Sequence, residues 1–383
     1  MKTKTSKIRT LIIFTLVFII TLSIIPSVLA KPRKTYITDF LYDCSIKDEG
    51  FSNSVENDDE VSEAATAYAL EILDEFDLLQ KKDLFGTVEK EINRTDLPEE
   101  LENEAKDLAE SGNLYKLYFL WRSLVVLEEN NKDYEISSSL KTKTETFLNS
   151  LLQIRGGYAP SKTSDSATIA STYFALKLYD IIDEDYKNES ITKDWVKSRK
   201  NNDGGYEGSV GLSSTILNTY YAISIMDEIA NVDDLFNEDS TIEYLKSFYE
   251  DNENDEDNYG GYYPDKDAKN TMISSTFYCL MGIDLIDDGE LEDEKETLEW
   301  ILNRQNFKDG GFKDIDDGSE QKYSSVINSY YALEVINLLD SDLVSLNEEI
   351  FMVEFNYWIL GGILVAIGLV AVAIIIIRRK RRI

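Results

Sequence analysis

The sequence predicts an all-α fold: six helical hairpins closed into a ring, with an N-terminal signal peptide and one C-terminal transmembrane helix. Three observations carry this. A glycine pair followed by an aromatic residue returns four times, as Gly156-Gly157-Tyr158, Gly204-Gly205-Tyr206, Gly260-Gly261-Tyr262 and Gly310-Gly311-Phe312, at intervals of 48, 56 and 50 residues. Each pair is followed by a stretch rich in hydroxyls and aromatics, such as Ser171-Thr-Tyr-Phe-Ala-Leu176 and Asn328-Ser-Tyr-Tyr-Ala-Leu333. Both ends of the chain carry long apolar runs beside basic residues. A period near 50 residues means units that leave an apolar face for a neighbour to cover.

The chain begins with Lys2, Lys4, Lys7 and Arg9, then an apolar run from Leu11 to Ile25, then Pro26 and the small-residue site Val28-Leu29-Ala30. This is the layout of a secretory signal, residues 1–30, cleaved after Ala30. The run is short for a spanning helix, and an uncleaved anchor is the alternative.

Two weaker units open the domain at residues 31–353. Gly50-Phe51 precedes Ala64 to Leu70, and Gly112 precedes Leu114 to Leu120. The unit at Gly204 is clearer. Ile191 to Lys197 makes a short helix carrying Trp195 and Val196, and Asn201-Asn-Asp-Gly-Gly is a strong turn signal. Leu212, Ile216, Tyr220, Ile223 and Met226 then recur near helical spacing. Phe147, Trp195 and Trp300 stand nine, nine and ten residues before their own glycine pairs, whereas Tyr244 stands 16 before Gly260. The surplus is the acidic stretch Asp251 to Asn258, an insertion in a loop. Six hairpins can close on themselves, one helix of each inside and one outside.

Tyr357 to Ile377 is 21 residues without a charge, long enough to span a hydrocarbon core, and Arg378-Arg-Lys-Arg-Arg382 follows within the tail 378–383. Basic residues stay inside, so residues 357–377 read as a transmembrane helix with the large N-terminal domain extracytoplasmic. A buried core helix is the alternative. The expected location is the cell membrane, crossed once.

Of 39 Lys and Arg, four lie in the signal and five in the tail, and of 72 Asp and Glu only Glu354 falls outside residues 31–353. That span therefore holds 30 basic against 71 acidic residues, a net charge of −41. Such a surface repels nucleic acid and anionic headgroups. Asn93-Arg-Thr95 and Asn188-Glu-Ser190 are glycosylation sequons on the outer side. Cys44 and Cys279 are open to one disulfide, although Cys279 in an apolar run suits a buried free thiol equally.

The motif Gln305-Asn-Phe-Lys-Asp-Gly-Gly-Phe312, followed by a Ser-rich stretch with Tyr-Tyr-Ala-Leu, resembles the repeats of protein prenyltransferase β-subunits. Squalene and other triterpene cyclases and complement-type thioester domains share that α/α toroid. The resemblance covers roughly residues 45 to 340 and implies the fold. Prenyltransferases hold a catalytic zinc with Asp, Cys and His, but this chain has no histidine and reads Thr271-Met-Ile-Ser-Ser-Thr276 where the Asp and Cys are expected. The sequence therefore predicts no metal and no cofactor. Class II cyclases use an Asp-x-Asp-Asp acid, and Asp314-Ile-Asp-Asp317 matches its letters, making Asp314, Asp316 and Asp317 the catalytic candidates. Asp317 lies 15 residues ahead of Ala332, too far before the helix, so a solvated loop is the preferred reading. Neither cysteine has a thioester setting, and no Ser/Cys–His arrangement exists without histidine. Asp251 to Asp257 lacks the spacing of a calcium loop.

What remains is the ring's interior. Tyr173, Tyr220, Phe277 and Tyr330, each half of an aromatic doublet, are the candidate ligand-binding residues, one of each doublet facing the cavity and the other packing between hairpins. Plain packing is the alternative. The expected function is that of a binding protein whose partner, a protein or small apolar ligand outside the cell, meets the glycine-loop face or the cavity. A cyclase- or lyase-type enzyme without zinc is the first alternative, and a structural cell-surface component the second.

Overall fold

The glycine pair and the run after it build one unit, an outer helix turning through glycine into an inner helix. The computed structural model describes residues 30–350, apart from 57–59, 83–85, 94, 231, 233–234, 236 and 315–322. The expected signal peptide through residue 29, the expected span 357–377 with its basic tail, and Asp316 and Asp317 lie outside the described residues. Among the described residues, no helix is long and apolar enough to cross a membrane.

Twelve α-helices are described. The outer helices are α1 (Arg33–Asp43), α3 (Leu97–Ser111), α5 (Ser138–Leu151), α7 (Glu189–Lys197), α9 (Glu238–Lys246) and α11 (Glu294–Leu302). The inner helices are α2 (Glu63–Glu75), α4 (Leu114–Glu129), α6 (Ile169–Ile181), α8 (Ile216–Ile229), α10 (Ile273–Ile286) and α12 (Val326–Leu339). Residues 34–347 form one unit, in which each inner helix packs on the next and α12 packs back on α2. The six-hairpin ring is therefore closed, and the two weak N-terminal units are part of it. In the other unit, a two-residue strand Lys31–Pro32 pairs antiparallel with Glu349–Ile350.

Inner helices are apolar on nearly every side because neighbours cover them on every side; α8, for example, buries Ile216, Thr219 and all of Tyr221 to Met226. Caps open most of them: the side chains of Ser62, Asn113, Thr168, Thr215 and Ser325 accept from the first turns of α2, α4, α6, α8 and α12. Thr215 caps α8, and Leu212, expected on its apolar face, lies in the loop and is 58% exposed.

The glycine loops fasten each hairpin to the next. The first glycine of each pair lies against backbone of the following outer helix: Gly156 on Ile191, Gly204 on Ser240, Gly260 on Glu296 and, around the ring, Gly310 on Tyr36. The second lies against a ring of that same helix: Gly157 on Trp195, Gly205 on Tyr244, Gly261 on Trp300 and Gly311 on Phe40. The aromatic that precedes a glycine pair in sequence thus serves the pair before it. The N–H of the residue after each pair donates to a hydroxyl one turn into the inner helix, at 3.0 Å for Tyr158 to Thr172, Tyr206 to Thr219, Tyr262 to Thr276 and Phe312 to Ser329. Phe51 does the same to Thr66 at 3.0 Å, which identifies Gly50-Phe51 as a true copy.

The two cysteines are free and buried, so no disulfide forms between them. Burial pushes the Cys44 thiol up to about 12, with Asp309 adding to it, and raises that of Cys279 as well. Neither is a ready nucleophile.

Candidate functional site

An inner helix enters the ring wall at its glycine-loop end, so a residue at a given place along one inner helix stands level with its counterparts on the other five. The fifth residues are Ala67, Tyr118, Tyr173, Tyr220, Phe277 and Tyr330, and the sixth are Tyr68, Phe119, Phe174, Tyr221, Tyr278 and Tyr331. Only Ala67 breaks the aromatic pattern. All the others line one central cavity of about 310 Å³. Tyr173, Tyr220, Phe277 and Tyr330 are thus placed together in it. The expected split of each doublet does not hold, because both members face the cavity. A helix turns roughly 100° per residue, so neighbouring side chains share a lining only where the cavity subtends a wide arc. Here it does.

The rings hold each other. Tyr68 stacks on Tyr330 with centroids 3.9 Å apart, Tyr173 on Tyr221 at 4.3 Å and Phe277 on Tyr331 at 4.6 Å. The Tyr278 and Tyr331 hydroxyls share a hydrogen bond at 2.7 Å. Tyr115 and Leu217, at the second place of α4 and α8, reach the mouth.

One turn deeper the composition changes. The ninth residues are Glu71, Arg122, Lys177, Ser224, Met281 and Glu334. Arg122 donates from Nε to Glu71 at 2.6 Å and also from its terminal nitrogen to the same carboxylate, a two-pronged ion pair. It donates further to the Tyr330 hydroxyl at 3.0 Å and lies over the rings of Tyr68 and Tyr118 at 4.9 and 5.4 Å. Burial opposes the Arg122 charge, yet the tyrosines and Glu71 around it hold its pKa above the ordinary value. Lys177 pairs with Glu228 at 2.7 Å. Glu334 lines the cavity, and burial, reinforced by the charges of Glu75 and Glu71, raises its carboxyl against the pull of Arg122.

Sequence reasoning missed Glu71, Arg122 and Glu334. The signal was present: each stands four residues after Ala67, Tyr118 and Tyr330, hence on the same helix face.

Asp314 is described, and it is elsewhere. Its carboxylate accepts from the Ile273 N–H at 2.7 Å and from Asn328 Nδ2 at 3.0 Å, on the glycine-loop side. α10 starts at Met272 without a side-chain cap of its own, and Asp314 from the next hairpin supplies it. Burial raises the Asp314 carboxyl, opposed by those two hydrogen bonds and by Arg304. Of the sequon residues, Asn188 is exposed at the start of α7, whereas Asn93 is half-buried and its amide donates to Asp48 and Asp96 at 2.6 and 2.9 Å.

The family model described as the prenyltransferase alpha-alpha toroid domain matches residues 2–107, 94–254 and 262–355. The chain belongs to the prenyltransferase α/α toroid family. Among solved structures, a Candida albicans protein geranylgeranyltransferase-I complexed with GGPP is 17% identical with a TM-score of 0.60, the match covering 86% of this chain and 98% of that one. The type II terpene cyclase MstE from Scytonema is 12% identical with a TM-score of 0.53, over 82% of this chain and 97% of its own. At these identities the likeness is one of fold. A comparison with curated proteins finds no match. In this prenyltransferase-like toroid the ring's centre is lined by aromatic side chains, underlain by a charged layer with one two-pronged ion pair.

Proposed function

We propose that this toroid is a binding protein, held at the outer face of a membrane by residues 357–377, whose aromatic chamber takes a small apolar or ring-bearing ligand. The observation that carries the reading is the two-tiered collar of rings around a cavity of about 310 Å³, within the size range of small-molecule sites. Tyr173, Tyr220, Phe277 and Tyr330 are the contacts assigned to the ligand. Asn188, exposed, is the better placed of the two sequons for a glycan.

Binding is favoured over transfer chemistry by how the relevant residues are used. The family's zinc needs Asp, Cys and His, and the residues at the fifth repeat do not fit it. Thr276 Oγ accepts from the Tyr262 N–H, and Thr271 is tied to Asn258 at 3.1 Å. The chain also has no histidine to complete that ligand set. Asp314 caps a helix.

The second reading, a cyclase-type enzyme, is favoured by Glu334, a carboxyl with a raised pKa on the wall of an aromatic cavity. One experiment separates the two. The full chain in a neutral detergent is titrated with small isoprenoid alcohols and aromatic alcohols, following tyrosine fluorescence, and the mixtures are then analysed for products. Saturable binding with unchanged ligands is the expected result. Cyclised products lost in Glu334→Gln would replace the binding reading with the enzymatic one.

A further inference from the structure

The collar is electrically lopsided. Its cation–π contacts among the described residues all come from Arg122, which lies over Tyr68, Tyr118, Phe119 and Tyr330 on the side of α2, α4 and α12. The rings of Tyr173, Tyr220, Tyr221 and Tyr278, on α6, α8 and α10, have no cation over them. A ring face is the negative end of a quadrupole, so, apart from the faces that Tyr173 and Tyr221 turn to each other, this half of the chamber offers negative faces with no cation over them among the described residues.

The floor points the same way. Arg122 is engaged by Glu71, and Lys177 by Glu228, while Glu334 on the cavity wall makes no ion pair among the described residues. Glu334 thus feels the charges of Glu75 and Glu71 as well as that of Arg122, which is already paired with Glu71. All six inner helices direct their C-terminal, partially negative ends beyond this floor. Their N-terminal ends, which would favour an anion, lie at the mouth, with caps on five and Asp314 on the sixth. Among the described residues, no lysine and no arginine other than Arg122 lines the chamber. A diphosphate or carboxylate group would meet ring faces and a carboxylate that has no ion pair of its own, with no uncommitted cation on the wall among the described residues.

Resting on the binding reading above, we infer that the chamber selects an organic cation: a quaternary or protonated ammonium on a small apolar body, seated against the touching rings of Tyr220, Tyr221 and Tyr278, whose centroids lie 5.3 to 6.2 Å apart, with Glu334 as its counter-ion. The apolar part is covered by the remaining rings, and the charge is matched without breaking the Arg122–Glu71 pair.

The test is isosteric. The full chain in neutral detergent at roughly physiological salt, where long-range attraction to its acidic surface is largely screened, is titrated with choline and with 3,3-dimethylbutanol, which replaces trimethylammonium by tert-butyl. Choline should bind at least tenfold more tightly. Glu334→Gln should lower choline affinity about tenfold and leave the neutral alcohol unchanged. Tyr221→Leu, which alters no charge, should also weaken choline more than the alcohol, and covers the case in which Glu334→Gln fails to fold. Equal or tighter binding of the alcohol overturns the cation assignment and leaves the binding reading standing. Binding of neither overturns both.

Discussion

Gly310, in the last glycine loop, lies against Tyr36 in the first helix so closely that a Cβ on it would come 2.5 Å from the Tyr36 carbonyl oxygen. This contact fastens the sixth hairpin to the first. Gly310 also has φ 95°, in the left-handed region where a side chain is strained. Gly310→Ala combines both penalties and should destabilise the ring by about 2–4 kcal/mol. Gly211 has φ 84° but open space around it, so Gly211→Ala should cost only about 1 kcal/mol. Denaturant unfolding of the full chain in detergent compares them. Equal losses would mean that ring closure does not depend on the Gly310–Tyr36 approach.

The Arg122–Glu71 pair is two-pronged and sits in a layer otherwise covered by aromatic rings. Removing one member leaves the other charged with its partner gone; that costs about 3–5 kcal/mol for fully buried pairs and about 1–3 kcal/mol for this one, whose side chains are 16 and 23% exposed. Arg122→Met and Glu71→Leu should each lower stability on that scale, and the double variant should recover most of the loss. Arg122→Lys should not rescue, since an ammonium cannot match both carboxylate oxygens and still lie flat over Tyr68. A double-mutant cycle by chemical denaturation reads this, and additive losses would show that the pair is not coupled.

Much of the ring was legible in the sequence because the loop that joins one hairpin to the next repeats its chemistry. The glycines are required by close approach to the next outer helix, and the Ser or Thr by the backbone N–H of the aromatic residue that follows them, which it receives at 3.0 Å, so they recur as letters. The role of the outer-helix aromatics was not legible. Trp195 stands nine residues before its own pair, yet packs on Gly157 of the previous one, a relation that depends on how successive hairpins stack. The collar doublets were visible, but not that both members line the cavity, because the arc a cavity subtends is set by six helices together. Arg122 and Glu334 were hidden among many charges and identifiable only by their place one turn below a ring. For Asp314 the sequence preferred a solvated loop over a reacting acid, and its capping role was not legible because a motif of acids says nothing of what the acid touches.

Glu334 makes stability depend on pH with a definite sign. Its folded-state pKa is raised above the usual carboxyl value, first by burial and then by Glu75. The folded chain therefore holds this proton more tightly than the unfolded chain does, and its contribution falls as pH rises from about the ordinary Glu value of 4.3 through the folded pKa. The general repulsion among acidic residues has the same sign, so only a difference isolates the site. Melting temperatures of wild type and Glu334→Gln, measured from pH 5 to 8, should diverge as pH rises, with the variant gaining on the wild type. Parallel curves would mean that Glu334 titrates alike in folded and unfolded chains.

Asp314 separates a helix cap from a reacting acid. Its carboxylate receives the first N–H of α10 and the Asn328 amide, and it is absent from the cavity wall. Asp314→Asn keeps an acceptor for the Ile273 N–H and should change stability by less than about 1 kcal/mol, whereas Asp314→Ala leaves α10 uncapped and should cost about 1–2 kcal/mol. Neither should alter ligand binding in the chamber, because the nearest link between them is the helix start rather than the wall. The same two variants are therefore titrated with choline alongside wild type after their unfolding curves are recorded. Loss of binding in Asp314→Asn with an unchanged unfolding curve would contradict the capping role and return this acid to the chemistry of the site.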